Sequence, residues 1–466
     1  MLSLINFPLL LLHRKTINMY PARFFKFFSV LIVLLTVVLT TQAQDTIEKD
    51  HNIIIGAQIR PRFEFRYGNF QPLPLGAKPA ALVSQRTRIA FTYHYKNVLS
   101  VHIAPQFVSV WGQENLTQGV TPSNALGLFE AWFRLRLTKT TDMKIGRQVI
   151  SLDDERFFGE LDWAQGARAH DAISFNFKKK KGELKAFAAY NQNYRIYGNN
   201  LSNVSGNLFS TKDAASYKWM QTLWGKYSIN DKNALSFLFT NLGLQNAPNA
   251  ADTIKSKTYF LQTGGANYTH NEDKWNMIVS AYYQGGKNAA GAKTSAYLLA
   301  LNVMGKVHKK VSLGFGADYV SGNKVGYTQK TNQAFIPYFG TNHKFYGSMD
   351  YYYSGNGHKS AGLFDGYLKL VYKPNTNWTT SMAVHQFVAP YAIQNAGKKF
   401  TPNLGQEIDW DFGFNINKFT KLVGGYSIYI TSPTTLFLKD VSKSKVAQHW
   451  LWVSISVTPK FLDYKH

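Results

Sequence analysis

Residues 85–111 read QRTRIAFTYHYKNVLSVHIAPQFVSVW. Two alternating runs flank the dipeptide Lys96-Asn97. In the first, Ile89, Phe91, Tyr93 and Tyr95 share one parity, and Arg86, Arg88, Thr92 and His94 share the other. Period two is the mark of a strand, whose successive side chains point to opposite faces. Two such runs around a short turn are a hairpin. Each run is about a dozen residues long, enough for a tilted strand to cross a bilayer.

Working outward from this hairpin, the same pattern recurs to the C-terminus. Candidate strands fall at 54–66, 85–96, 98–111, 127–138, 141–150, 168–178, 182–193, 216–229 and 232–244. They continue at 257–270, 273–284, 293–306, 309–321, 361–373, 376–389, 404–417, 419–431 and 446–460. Short turns, such as Lys139-Thr140-Thr141 and Asn417-Lys418, alternate with long connections at 67–84, 112–126, 151–167, 194–215, 322–360, 390–403 and 432–445. A soluble sandwich has no reason to segregate its loops in this way. The alternation predicts an all-β transmembrane antiparallel barrel of about 18 strands, with short periplasmic turns and long extracellular loops.

The composition fits. The chain has 466 residues, no cysteine, 52 Lys+Arg against 27 Asp+Glu, and 15% aromatics. The lack of cysteine removes thiolate metal sites, thiol nucleophiles and disulfide scaffolds. A mean hydropathy of -0.23 excludes a polytopic helical membrane protein. Residues 28–39, FSVLIVLLTVVL, follow Arg23 and Lys26 and precede Thr41 and Ala43. Basic region, apolar core and small-x-small site predict a signal peptide over 1–43, with Met19 a candidate start, and a single barrel domain over 44–466. Cleavage there lowers the formal net charge from +25 to +21.

Parity sorts the residues by face. In the first strand Ile59, Phe63, Phe65 and Tyr67 oppose Gln58, Arg60, Arg62, Glu64 and Arg66. In the fourth, Phe129, Phe133, Leu135 and Leu137 oppose Glu130, Trp132, Arg134 and Arg136. Near the end, Ile408, Trp410, Phe412 and Phe414 oppose Glu407, Asp409 and Asp411. An arginine facing lipid at mid-bilayer costs about 2–4 kcal/mol. Arg60, Arg62, Arg66, Arg86, Arg88, Arg134 and Arg136 are therefore expected in the lumen, as a guanidinium wall for an anionic chain. Glu64, Glu130, Glu407 and Asp409 are expected there as carboxylates that pair with some of it. Walls of Arg and Lys confer anion selectivity, whereas a fully paired ladder would only fill the lumen.

Residues 144–171, KIGRQVISLDDERFFGELDWAQGARAHD, carry a more specific signal. With the arginine strands, the preceding FEAWFRLRL (129–137), FGTNHKFYGSMD (339–350) and LGQEIDW (404–410), this segment resembles the alginate export family of outer-membrane barrels. The resemblance spans essentially the whole mature chain. It implies an eighteen-stranded barrel for passive export of an acidic polysaccharide. Carried over by motif, Arg147, Gln148, Arg156, Arg168 and Asp171 become lumen or loop positions. His170 departs from the family pattern, which expects an aromatic residue there. Asp153-Asp154-Glu155 lacks the glycine-centred spacing of a calcium loop, and a solvated or salt-bridged loop is expected instead. No serine and histidine are placed as a hydrolase pair.

The functional expectation is a Gram-negative outer-membrane channel exporting an alginate-like polysaccharide. The alternative is an anion- or sugar-selective porin for small-solute uptake. No catalytic residue, cofactor or metal is expected. Expected partners are outer-membrane lipid, an anionic polysaccharide or small anions, and a periplasmic export partner; nucleic acid is not among them.

Overall fold

The computed structural model describes residues 50–112, 126–191, 217–246, 257–352 and 357–466. The expected leader, 1–43, and the connection 194–215 lie outside the described residues. Eighteen antiparallel staves run in chain order. They are β1 (His51–Tyr67), β2 (Ala80–Tyr95), β3 (Leu99–Val110), β4 (Leu126–Arg136), β5 (Thr141–Gln148) and β6 (His170–Lys179). Next come β7 (Gly182–Tyr190), β8 (Trp219–Ser228), β9 (Asn233–Asn246), β10 (Lys257–Asn271), β11 (Trp275–Lys287) and β12 (Lys293–His308). The last are β13 (Val311–Val320), β14 (Leu363–Tyr372), β15 (Trp378–Val388), β16 (Asn403–Asn417), β17 (Thr420–Ile430) and β18 (Ala447–Val457, resuming at Lys460–Lys465).

Each stave pairs with its chain neighbour, and β18 closes on β1 through Arg62↔Ser454, Phe63↔Val453 and Asn52↔Lys465. Closure leaves no open sheet edge, which is how a β structure meets the demand for paired backbone groups at membrane depth. The break in β18 falls at Thr458-Pro459. Proline has no N–H for the ladder; its carbonyl accepts from Ala57 N at 3.1 Å instead. Both ends of the described barrel lie at the short-turn rim, where His51 and His466 exchange backbone bonds of 2.8 Å beside the β2–β3 turn.

The outer face is apolar. Ile59, Phe63, Ile89, Phe91, Ile103, Phe133, Ile408, Trp410 and Val453 are exposed where lipid would lie. The inner face is polar and buried, holding Glu64, Arg86, Asp318, Asp365, Glu407 and Asp409. One residue departs from the parity reading. Phe129 is buried and lies under the Arg88 guanidinium, 3.5 Å from its ring centre. Ala104 pairs with Glu130 but Pro105 pairs with Leu128, so Phe129 is the extra residue of a bulge. A bulge resets the alternation and re-aims the side chain.

Candidate functional site

Two long connections turn inward rather than out. Residues 149–169, between β5 and β6, cross the lumen. Their acidic end reaches β8–β11. Asp153 accepts hydrogen bonds from Trp224 Nε1 (3.0 Å), Ser236 Oγ (2.5 Å) and Asn267 Nδ2 (3.1 Å). Asp154 accepts from Ser280 Oγ at 3.3 Å. Arg156, 2% exposed, bridges Asp154 and Asp318 at 2.9 Å each. Burial would weaken its charged form, but the Asp318 and Asp154 carboxylates outweigh that and hold its pKa above the ordinary value. Burial pushes the Asp153 carboxyl up despite its donors. The acidic run is thus the anchor of an inward loop.

The other end of this loop docks on the arginine wall. Arg60 donates to Asp162 (3.1 Å), Gln165 Oε1 (3.1 Å) and the Ala164 carbonyl (3.2 Å). Arg86, 1% exposed, shares Asp162 at 2.8 Å. Arg62 and Arg66 share Glu64, at 3.0 and 2.8 Å, and Arg62 also donates to the Trp163 carbonyl at 2.7 Å. Arg88 donates to Gln106 Oε1 at 2.8 Å, and Gln106 in turn donates to the Gly166 carbonyl. Among the described residues, four guanidinium groups on β1 and β2 share two carboxylates in ion-pair contact, and the fifth, Arg88, has only the Gln106 amide oxygen as a side-chain acceptor.

Residues 321–352, in the connection between β13 and β14, pack on the first loop. His343 stacks on Trp163 with ring centres 4.1 Å apart, and its Nδ1 lies 2.8 Å from Asp350 Oδ2. The backbone N–H of Met349 donates to Glu407 (2.7 Å) and that of Ser348 to Asp409 (3.2 Å), tying this loop to β16. Gly347 permits the approach: its φ is +79°, and a Cβ there would sit 2.7 Å from the Glu407 carboxylate. Arg168 donates to two backbone carbonyls, Gly159 (3.4 Å) and Gly340 (3.1 Å). Burial lowers its pKa to about 10, against the pull of Glu155.

Between wall and loops lies a cavity of about 250 Å³, lined by Arg62, Arg66 and Arg168, by the carboxylates Glu64 and Asp350, and by the rings of Trp163, Trp450 and Tyr338. A second, of about 360 Å³, has a mixed face of Asp409, Asp411, Arg156, Lys344, Lys369 and His385.

The other sequence-stated positions divide. Arg134 donates to Ser100 Oγ (3.1 Å) and Arg136 to Asn97 (3.4 Å), towards the short-turn rim. Glu130 accepts from Trp132 Nε1 and from Val149 N. Gln148 points inward, donating to the Ala172 carbonyl at 2.8 Å. Arg147 and Asp171 do not face the lumen. They pair with each other at 3.0 Å on the outer parity of β5 and β6, shared with Ile145, Ile173 and Phe175. They sit at the strand ends towards the long-connection rim, where charge meets headgroups and water rather than hydrocarbon. The family motif matched their order but carried no parity. Asp162, Trp163, Gln165, His343 and Asp350 complete the site. No period-two signal could place them, because they lie on connections; Gln106 was legible from the parity of β3.

The alginate export family matches residues 51–399, three quarters of the chain. The chain belongs to the alginate export family. Its fold is that of outer-membrane porins. OpdL of Pseudomonas aeruginosa superposes with a TM-score of 0.59 at 11% identity, covering 88% of this chain and 99% of that one. OccAB1 of Acinetobacter baumannii gives 0.56 at 13%, covering 91% and 99%. P. aeruginosa OpdK, solved with vanillate, gives 0.57 at 9%, covering 88% and 99%. At such identities the likeness is one of fold. No curated protein sequence matches. As a family member with a porin-like closed barrel, the protein is an outer-membrane channel.

Proposed function

We propose that this channel sits in the outer membrane of a Gram-negative cell and passes an anionic, alginate-like polysaccharide along the β1–β2 arginine wall. The observation that carries this reading is the charge imbalance of that wall, where four guanidinium groups share Glu64 and Asp162 and a fifth, Arg88, donates to the neutral Gln106. Arg168 adds a sixth cation, which donates to the backbone carbonyls of Gly159 and Gly340. A fully matched ladder would have no net field; this one keeps a surplus for a passing uronate. Arg156, buried between Asp154 and Asp318, serves as an anchor and not as part of the path.

A second reading, a porin for small organic anions or acidic sugars, has its own support. The two inward loops interlock through Trp163 and His343, and the cavities beside them are of small-solute size. Block of ion current by oligouronates of graded length separates the two. An exporter of chains is blocked more tightly as length grows and passes the oligomers. A small-solute porin passes the monomer and is merely plugged by the rest. Cation selectivity of the unmodified channel would refute both.

A further inference from the structure

The outer surface over β11–β13 differs from the rest of the lipid-facing belt. Its register builds layers. Lys287 pairs with Lys293 at the long-connection rim, Gly285 with Ser295 below them, and Tyr283 with Tyr297 below that. Leu299 and Tyr319 pair in the next layer, with Phe364 beside Tyr319. Tyr297 and Tyr319 stack with their rings nearly parallel, 5.5 Å apart. Tyr391, from the β15–β16 connection, reaches across to bring its hydroxyl to that of Tyr297 at 3.4 Å. Tyr283 is bonded to Ser295 Oγ at 3.1 Å. Four tyrosines from four segments thus form one hydroxyl-bearing platform at the top of the apolar belt.

Above the platform, lysines converge from three segments. Lys324 adjoins Val325, which bridges to Ile393 of the small hairpin Ile393–Asn395 and Lys398–Phe400. Lys398 and Lys399 are exposed on that hairpin. Asn332 bonds the Lys293 carbonyl, which brings the exposed Lys330 alongside. No Asp or Glu occurs in residues 274–317, 319–349 or 389–406. None of Lys287, Lys293, Lys324, Lys330, Lys398 and Lys399 joins an ion pair among the described residues.

The spacing fits one kind of occupant. The Lys287–Lys293 pair is four residues above Tyr283–Tyr297, a rise of about 13 Å along the strand. At the usual barrel tilt this is about 10 Å along the membrane normal. Tyrosines at the hydrocarbon boundary therefore place the ammonium groups at the level of the outer headgroups and their phosphates. Beneath lie Ala281, Leu299, Phe315 and Ala317, an apolar track for acyl chains.

We propose that this face binds a phosphorylated, multiply acylated glycolipid of the outer leaflet, a lipid A. The lysines hold its phosphates, the tyrosine hydroxyls its sugar and ester groups, and the apolar track its chains. An anionic polysaccharide emerging from the lumen would need the same lysines but not the tyrosine platform or the apolar track below.

The test is native mass spectrometry of the detergent-purified barrel titrated with bis-phosphorylated lipid A, the same lipid without phosphates, and soluble polyuronate. The expected result is preferential retention of the bis-phosphorylated form. It should weaken at least tenfold in the Lys287→Gln/Lys293→Gln/Lys398→Gln/Lys399→Gln variant and stay unchanged in Lys309→Gln/Lys310→Gln, which lies at the opposite rim. Heat-modifiable migration checks that each variant is folded. Equal binding with and without phosphates overturns the proposal, as does full binding by the folded quadruple variant. So does polyuronate binding that the quadruple variant loses while lipid A binding persists.

Discussion

Asp162→Asn should make the channel more anion-selective while loosening the inward loop. Asp162 is the one carboxylate that Arg60 and Arg86 share, so its removal adds a unit of positive charge to the wall at constant volume. A unit charge about 8 Å from a permeating ion contributes roughly 0.5 kcal/mol in water. With a Debye length of about 8 Å at physiological salt, roughly 0.2 kcal/mol survives; near 0.01 M salt, about 0.4 kcal/mol does. Each anion is favoured and each cation disfavoured by that amount. The anion-to-cation permeability ratio should thus rise about two-fold at physiological salt and about four-fold at low salt. The stability cost is modest, because the Asp162 side chain is 42% exposed although that of Arg86 is 1% exposed. Solvent screening holds it to about 1–2 kcal/mol. Reversal potentials under a salt gradient in planar bilayers, with urea unfolding in micelles, measure both effects. An unchanged ratio at low salt, or a shift towards cations, would refute the view that permeating ions sense this wall.

Trp163→Ala removes the ring that Arg62 covers at 4.1 Å and His343 stacks on, so the two loops should uncouple and single-channel conductance should rise; no change would show that the loops hold by other bonds. Arg156→Gln leaves Asp318 and Asp154 without their shared cation, and should cost about 3–5 kcal/mol in chemical unfolding. Lys439, at the end of the short helix α1 (Pro433–Leu438), is held by burial at a pKa of about 7, against the pull of Asp350. The unfolded chain then binds more protons between about pH 7 and 10.5, so stability should rise with pH across that window. Lys439→Met should flatten that slope, which parallel unfolding curves at pH 7 and pH 10 would reveal.

The barrel was legible in the sequence because its determinants are local and periodic. Lipid outside and water inside impose alternation on every stave, and loop segregation is visible from spacing alone. Hence eighteen strands, and the inward parity of Arg60, Arg62, Arg86 and Arg88, followed from residue order. Where periodicity broke, the reading failed. The bulge at Phe129 shifted one side chain inward, and motif matching put Arg147 and Asp171 on the wrong face. The tertiary structure alone decided which arginines are engaged and by what. Asp162, Trp163 and Gln165 sit about a hundred residues from Arg60 and Arg62 in the chain, on a connection without a period of its own. Their contacts arise only because closure makes the lumen the sole polar volume at that depth. A loop folded into it must satisfy its backbone carbonyls and carboxylates with whatever donors the wall presents, and this wall presents guanidinium.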